Sequence, residues 1–537
     1  MRPNLTVYYG VRYSYFPSPY DKNGRLSTFV PELYDQAQAP QVTGAGNRVA
    51  GTGNWCNGLI VNSQNVTTGP AQFNCRPLTS PYGKYVIGVS KKDFAPRFGL
   101  AWDPTGSGRT SIRTGYGIYH EQVLVGTFLQ DIGLNPPYQE TATATNTNLD
   151  NPGGGIPTNL TVQGLRAVQS NFNTPYMQHW SLDFQHQLSS NTMFTVGYFG
   201  SKGTHLIGLT EINEVPPGVA LNSNCAPGNG FIGQNPAPTL VRCQPAGYAF
   251  RNTTGATGNP NVVGTTTFSD LLILDQLRPY KGYRSIAMVQ PRYNSNYHGL
   301  QVSAQHNFAN SSQVQLAYTW SKNLTDSPND RTTSPQNSYD IRAEYQRATL
   351  DRRHVFNLNY IYEIPLLRNR NDFVGKAFGG WQASGIVTVY TGVPFSVTTS
   401  NLDLAGLGLI NANPAARPNL LCDPNENAPH GFQWVTNQCF QLNPPNTGPG
   451  STGLSNLPGT TPRGVLNGPG TQRVDFTMSK NFRFTESIYL QLRAEMFNIF
   501  NHTNFRTIAT NITATNFGAV TATRDPRTMQ FGLKLNF

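Results

Sequence analysis

From Thr528 to Phe537 the chain alternates without a break. Met529, Phe531, Leu533, Leu535 and Phe537 fall on one face of an extended backbone, and Thr528, Gln530, Gly532, Lys534 and Asn536 on the other. The same two-residue period runs through QRVDFTMSKNFRF, where Val474, Phe476, Met478, Phe482 and Phe484 oppose Arg473, Asp475, Thr477, Ser479, Asn481 and Arg483. It runs again through SIYLQLRAEMFNIF, where Ile488, Leu490, Leu492, Ala494 and Met496 oppose Gln491, Arg493 and Glu495. Only Thr485 and Glu486 separate these two segments, which predicts a hairpin.

Upstream, HGLQVSAQHNF and SQVQLAYTWSK flank Ala309 to Ser311, and WSLDFQHQL and TMFTVGYFG flank Ser189 to Asn191. FGLAWD and RTSIRTGYGIY flank PTGSG, while RRHVFNLNYIYEIP and GWQASGIVTVY are joined by a polar turn around Arg368 to Gly379. NLTVYYGVRYSYF is the first segment. This gives about twelve strands, each long enough to cross a bilayer at a barrel's tilt.

Between the hairpins lie Asn-, Thr-, Gly- and Pro-rich loops, roughly 17–93, 122–174, 208–282, 323–350, 395–470 and 501–526. Loops this long without regular structure do not suit a compact soluble domain. Strict alternation of short turns with long loops is the asymmetry of outer-membrane barrels, whose periplasmic turns are short. Counting back from Phe537, every short turn falls on the side where the chain ends and every long loop on the other. The expected fold is all-β: one antiparallel transmembrane β-barrel unit over residues 1–537, apolar faces toward outer-membrane lipid and polar faces toward a wet lumen.

Composition agrees. Charged residues make up 12% of the 537, under the roughly 25% usual for soluble domains. Aromatics reach 11%, mean hydropathy is −0.39, and no stretch approaches the ~18 apolar residues of a membrane helix. The net charge of +11 comes from scattered Arg and Lys with no run of five, which points to acidic lipid headgroups or a cationic lumen rather than nucleic acid. MRPNLTVYYGVRYSYFP alternates like a strand from the outset and lacks the apolar core of a signal peptide, so the chain is expected to be incomplete at its N-terminus.

Six cysteines fall as three local pairs, 17 to 19 positions apart, each inside one expected outer loop: Cys56 with Cys75, Cys225 with Cys243, and Cys422 with Cys439. Disulfides are expected in these pairs, each adding about 3 kcal/mol. The bacterial envelope supplies the oxidising compartment they need. Zinc would need short spacings such as CxxC, and none exists.

Catalytic chemistry is not expected. His179 and His186 face opposite sides of one strand, and His298 and His306 share a side but lie about 25 Å apart at strand rise. DRRH, Asp351 to His354, opens a strand at the outer rim, where its charges are expected to be solvated. GAGNRVAGTG lacks the helix a phosphate loop requires, and no GxSxG or HExxH appears. Arg473, Asp475, Arg493 and Glu495 are expected to face the lumen near the last hairpin, as a salt-bridged wall or as a contact for a plug or solute. No cofactor and no metal are expected.

FAPRFGLAWDPTGSGRTSIRTGYGIYHE, DRRHVFNLNYIYEIP, RGVLNGPGTQRVDFTMSKNFRF and LRAEMFNIFNHTNF resemble the barrel of Oar-like TonB-dependent receptors, and the resemblance covers nearly the whole chain. It implies an N-terminal regulatory-like domain, a plug and a barrel of 22 strands, with uptake of a scarce small solute driven through TonB. Against that pattern this sequence is the C-terminal barrel portion, about twelve of the strands. TonB would be a partner only if a plug is supplied. The resemblance also implies that Phe537 is read by the barrel-assembly machinery. A passive barrel or surface adhesin, and a secreted glycan-binding β-protein, are the alternative expectations.

Overall fold

The computed structural model describes residues 4–42, 48–62, 74–139, 149–150, 162–217, 278–308, 311–327, 335–367, 370, 372–399, 407, 416–442, 458–485 and 487–537. Twelve long strands form the path of its fourteen-stranded main sheet, the short strands Gln163–Val168 and Gln346–Arg347 pairing off it: β1 (Leu5–Ser14), β2 (Asp93–Trp102), β3 (Thr110–His120), β4 (Tyr176–Ser189), β5 (Thr192–Glu211), β6 (Tyr283–Asn307), β7 (Gln313–Thr325), β8 (His354–Glu363), β9 (Trp381–Tyr390), β10 (Thr471–Arg483), β11 (Tyr489–Phe497) and β12 (Thr528–Asn536). Each pairs antiparallel with its neighbours in chain order. Every segment expected from the two-residue period is present.

The register explains why the period is so regular. Residues directly opposite one another in an antiparallel ladder share a face. Following the pairs gives a continuous apolar surface: Leu182 lies beside Tyr198, Tyr198 beside Leu300, and Leu300 beside Trp320. It continues through Leu358 beside Val387, Val387 beside Val474, Phe476 beside Met496 and Met496 beside Met529. Among the described residues much of this surface stays uncovered. Trp320 remains 51% exposed and Phe531 76%, as expected of side chains that face hydrocarbon rather than a protein core. The opposite face carries Thr388 beside Arg473, and Thr477 beside Glu495.

The buried cores lie instead in the long loops. Those loops are not devoid of regular structure, as their composition suggested. Ser27–Phe29, Leu59–Val61 and Leu78–Thr79 make a three-stranded sheet, and the helix Val125–Ile132 packs beside the strand Gln163–Val168. Phe29, Leu59, Leu165, Tyr283, Ile286 and Met288 form one core, and Phe128, Ile132, Val168, Phe172 and Val289 another. Val397, Val435, Phe440, Leu466, Ile508 and Phe517 form a third.

β5 and β6 reach into this cap. They run for 20 and 25 residues, against the roughly ten a bilayer needs. The sequence reading stopped them at Gly200 and His298, because Ile286, Met288 and Val289 are buried in the loop cores and the alternation dissolves there. The register shifts between Gly203 and Ile207, where His205 takes a φ of 55°. A bulge of this kind bends the ribbon between its membrane and cap portions.

The short turns are held by local polar contacts. After β2, the Asp103 carboxylate accepts from the backbone N–H of Gly108 at 2.6 Å and of Thr105 at 3.0 Å. These bonds, with Gly108 first, hold its carboxyl below the usual carboxylate range. Between β8 and β9, the turn carries a helix, Phe373–Phe378, whose Asp372 cap accepts from the Gly375 N–H at 2.9 Å. Lys480 of β10 reaches its far end and donates to the carbonyls of Ala377 and Gly379 at 2.9 and 2.5 Å.

The DRRH segment departs from expectation. Asp351 is buried, not solvated, because it satisfies the strand entry: its carboxylate accepts from the Asn323 N–H at 2.7 Å and from Arg347 at 3.0 Å. Arg352 lies over the Tyr390 ring at 4.1 Å and donates to the Thr391 carbonyl.

β1 and β12 stand at the two ends of the sheet path, each paired on one side only among the described residues. Both are exposed along nearly their whole length.

Candidate functional site

Two adjacent rows of paired residues cross the polar face from β1 to β6. One runs Tyr8, Gly99, Gly115, Ser181, Phe199, Gly299. The other runs Gly10, Arg97, Gly117, His179, Ser201, Tyr297. Small residues alternate with rings, so the rings have floor to lie on. A Cβ on Gly117 would meet the Tyr119 ring at 2.9 Å, and one on Gly197 would meet Phe199 at 2.7 Å. The result is a trough of about 540 Å³ walled by Tyr8, Arg97, Tyr119, His179, Phe199 and Tyr297.

The Arg97 guanidinium stacks over Tyr119 at 4.4 Å, and Tyr119 meets His179 edge-on at 5.3 Å. Its Nε is buried and has no hydrogen-bond partner among the described residues. A cation held against rings suits a solute that offers flat or ring surfaces. Sequence reading missed this trough. Its residues come from six strands, and the one available signal was the row of glycines inside otherwise good strands, which marks close approach.

The four charged residues singled out from the sequence lie elsewhere, near the other end of the sheet. Arg473 Nε meets Asp475 Oδ1 at 2.7 Å, and Arg493 meets Glu495 at 3.3 Å. Asp475 also accepts from the Asn498 N–H at 2.9 Å, and Glu495 from the Gln530 side-chain amide. They are spent on one another and on the neighbouring strand, and none lines the trough.

Cys56 is bonded to Cys75 inside the core that holds Phe29 and Tyr283, and Cys422 to Cys439 beside the short ladder Asn419–Leu420 with Phe440–Gln441. Cys225 and Cys243 lie outside the described residues. Among the described residues no group of His, Cys, Asp and Glu could hold a metal ion, and no helix is long and apolar enough to cross a membrane. The strand histidines instead meet hydroxyls: Thr110 with His186 at 2.9 Å, Thr192 with His306 at 2.7 Å, and Tyr198 with His298 at 2.6 Å.

Residues 1–530 match the family described as an outer membrane beta barrel domain. The chain belongs to that family. Its place is the outer membrane, and its antiparallel sheet is that of a membrane barrel. No curated protein matches it. Among solved structures it is similar to the outer membrane transporter YddB from Escherichia coli, at 10% identity and a TM-score of 0.40, covering 83% of this chain and 41% of that one. It is also similar to the ferric enterobactin receptor PfeA from Pseudomonas aeruginosa, at 11% identity and a TM-score of 0.36, covering 83% and 40%. A third is the siderophore receptor PiuA from Acinetobacter baumannii, at 10% and 0.33, covering 83% and 36%. This outer-membrane chain therefore spans about two fifths of the length of the transporters it resembles. Similarity so distant says nothing of the ligand.

Proposed function

We propose that the chain is the barrel portion of an Oar-like TonB-dependent receptor, which takes up a scarce solute across the outer membrane. The observation that carries this reading is the trough on the inward face, where Arg97 and the rings of Tyr119, His179 and Tyr297 converge. Such a surface binds a solute on its way through, which a passive water-filled pore has no need to do. In this reading residues 1–537 are one barrel unit, surrounded by outer-membrane lipid. TonB acts through a plug that these strands do not provide, and no cofactor takes part.

The one-sided pairing of β1 and β12 supports the same reading. An unpaired strand edge in hydrocarbon leaves backbone N–H and C=O groups unsatisfied at several kcal/mol each, and in this reading further strands complete the wall. The disulfide-braced cap favours one other reading, a barrel whose outer loops hold a partner and pump nothing.

Uptake separates the two. Cells carrying the receptor are given radiolabelled ferric catecholate or maltodextrin, with and without a protonophore. Accumulation that stops with the protonophore supports the receptor reading. Accumulation that continues unchanged, or surface binding with no accumulation of either probe, overturns it.

A further inference from the structure

A cleft of about 990 Å³ opens on the lipid side of the wall. Its strand residues settle this. Tyr318, Phe356 and Val389 are register partners on the apolar face, with His354 and Gln472 on the same face, and all five line it. Of the inward-facing parity only Tyr390 and Thr471, the paired end residues of β9 and β10, reach it, while Thr319, Asn357, Thr388 and Arg473 do not.

The cleft lies at the upper edge of the apolar band. His354 is the first residue of β8, and Phe356, Leu358 and Tyr360 follow below it on the same face. Loop residues His430, Trp434, His502 and Phe505 close it from above. Phe432 and Phe500, in the same two loop regions, are 78% and 76% exposed, as aromatic anchors at a membrane interface are.

The cleft is also lined by basic side chains. Arg347, Arg353, His354, His430 and His502 line it, and no Asp or Glu does. Arg347 is already spent on Asp351 and Asn467. The Arg353 guanidinium has no hydrogen bond or ion pair among the described residues, and its backbone alone is engaged, with Ser321. His354 has one ring nitrogen tied to the Tyr318 hydroxyl at 2.8 Å, which fixes the ring and leaves the other for a ligand. His430 is held edge-on against Trp434, whose indole N–H donates to the Asn467 carbonyl at 2.7 Å.

A basic cleft that opens toward hydrocarbon at headgroup level cannot serve a solute crossing the lumen. We propose that it seats the phosphate-bearing headgroup of an outer-leaflet lipid, with Arg353 as the main phosphate donor, His354 and His430 beside it, and the acyl chains running down over Phe356 and Val389. Guanidinium and imidazole donors suit phosphate oxygens, and the apolar strand face below suits the chains. The site is separate from the trough, which lies on the other face between β1 and β6.

The test is native mass spectrometry of the protein purified from outer membranes in detergent, titrated with dimyristoyl phosphatidylglycerol or dimyristoyl phosphatidylcholine. The unaltered protein should retain the anionic lipid preferentially. Arg353→Ala with His430→Ala should lower that retention about tenfold, the loss expected for a charge-assisted hydrogen bond, and leave phosphatidylcholine unchanged. Equal retention of the two lipids, or undiminished phosphatidylglycerol binding by the folded variant, overturns the proposal. So does complete displacement by inorganic phosphate, which identifies a soluble anion as the occupant. Should the variant fail to fold, a photoactivatable phosphatidylglycerol on the unaltered protein decides. Label in peptides containing 353–356 and 430–434 supports the site, and label confined elsewhere overturns it.

Discussion

Arg417 grips Glu344 with both of its terminal nitrogens, Nη2 to Oε1 at 2.6 Å and Nη1 to Oε2 at 3.1 Å. Both side chains are nearly without solvent contact, and they join the loop after β7 to the loop after β9. Arg463 adds a third strand of chain by donating to the Glu344 carbonyl at 2.6 Å. Removing one partner of such a pair strands the other charge in a dry site. Glu344→Ala should therefore destabilise the cap by about 3–5 kcal/mol. Hydrogen exchange at 416–420 and 458–463 should rise sharply while exchange in β7 to β10 stays slow. Unchanged exchange at both would deny the pair this role.

Glu211 closes β5 beyond the membrane-spanning part, its carboxylate accepting from the backbone N–H of Ile286 at 2.6 Å and of Asn213 at 3.1 Å. Burial pushes its pKa above the ordinary carboxylate range, against the opposing pull of Arg278 and the two N–H donors. A carboxyl whose folded pKa is raised favours the folded state at low pH, and that contribution is lost as pH rises through the raised value. Protection at 283–289 should fall with rising pH in the unaltered protein, and Glu211→Gln should flatten the dependence. A variant with the same pH profile would exclude Glu211 as the titrating group.

The Tyr119 ring occupies the space a side chain at position 117 would need. Gly117→Val should push that ring off Arg97, with a cost of about 1–3 kcal/mol to the wall. Affinity for any lumenal solute should fall roughly tenfold in a fluorescence titration, even where heat-modifiable gel mobility shows the barrel intact. Full affinity in a folded variant would remove the trough from the binding path.

Tyr9 and Leu533 sit on the apolar faces of the two edge strands. If additional strands complete the wall, Tyr9→Cys with Leu533→Cys should not cross-link in oxidised membranes. The paired positions Val7 and Leu100 should cross-link when both are replaced by Cys. A Tyr9→Cys/Leu533→Cys bridge in the monomer would mean that twelve strands close on themselves.

Phe537 continues the apolar face of Met529, Phe531, Leu533 and Leu535 and is almost fully exposed. As the proposed recognition residue for barrel assembly, its deletion should lower the amount of folded protein in the outer membrane. Wild-type levels after deletion would assign it no part in assembly.

The wall was legible because one wet and one oily side force a strict period of two, so the apolar faces from Val7 to Leu535 could be followed strand by strand. That rule fails where both sides are buried, which is why the upper halves of β5 and β6 and the loop cores around Phe29, Tyr283 and Val397 stayed hidden. Charged residues were legible only as neighbours. Arg473 with Asp475 shows in the sequence at a spacing of two, whereas Glu344 with Arg417 and Lys480 with Gly379 join positions far apart, and no local pattern announces them. The trough was invisible for the same reason. Its six strands meet only once the register is known.

β5 and β6 belong to the membrane wall at one end and to the loop cores at the other, each as one uninterrupted strand. The cap over this part of the wall is thus built like a turret on its own masonry, not hung like a door. A change in the loop cores is therefore felt directly by the strands of the wall.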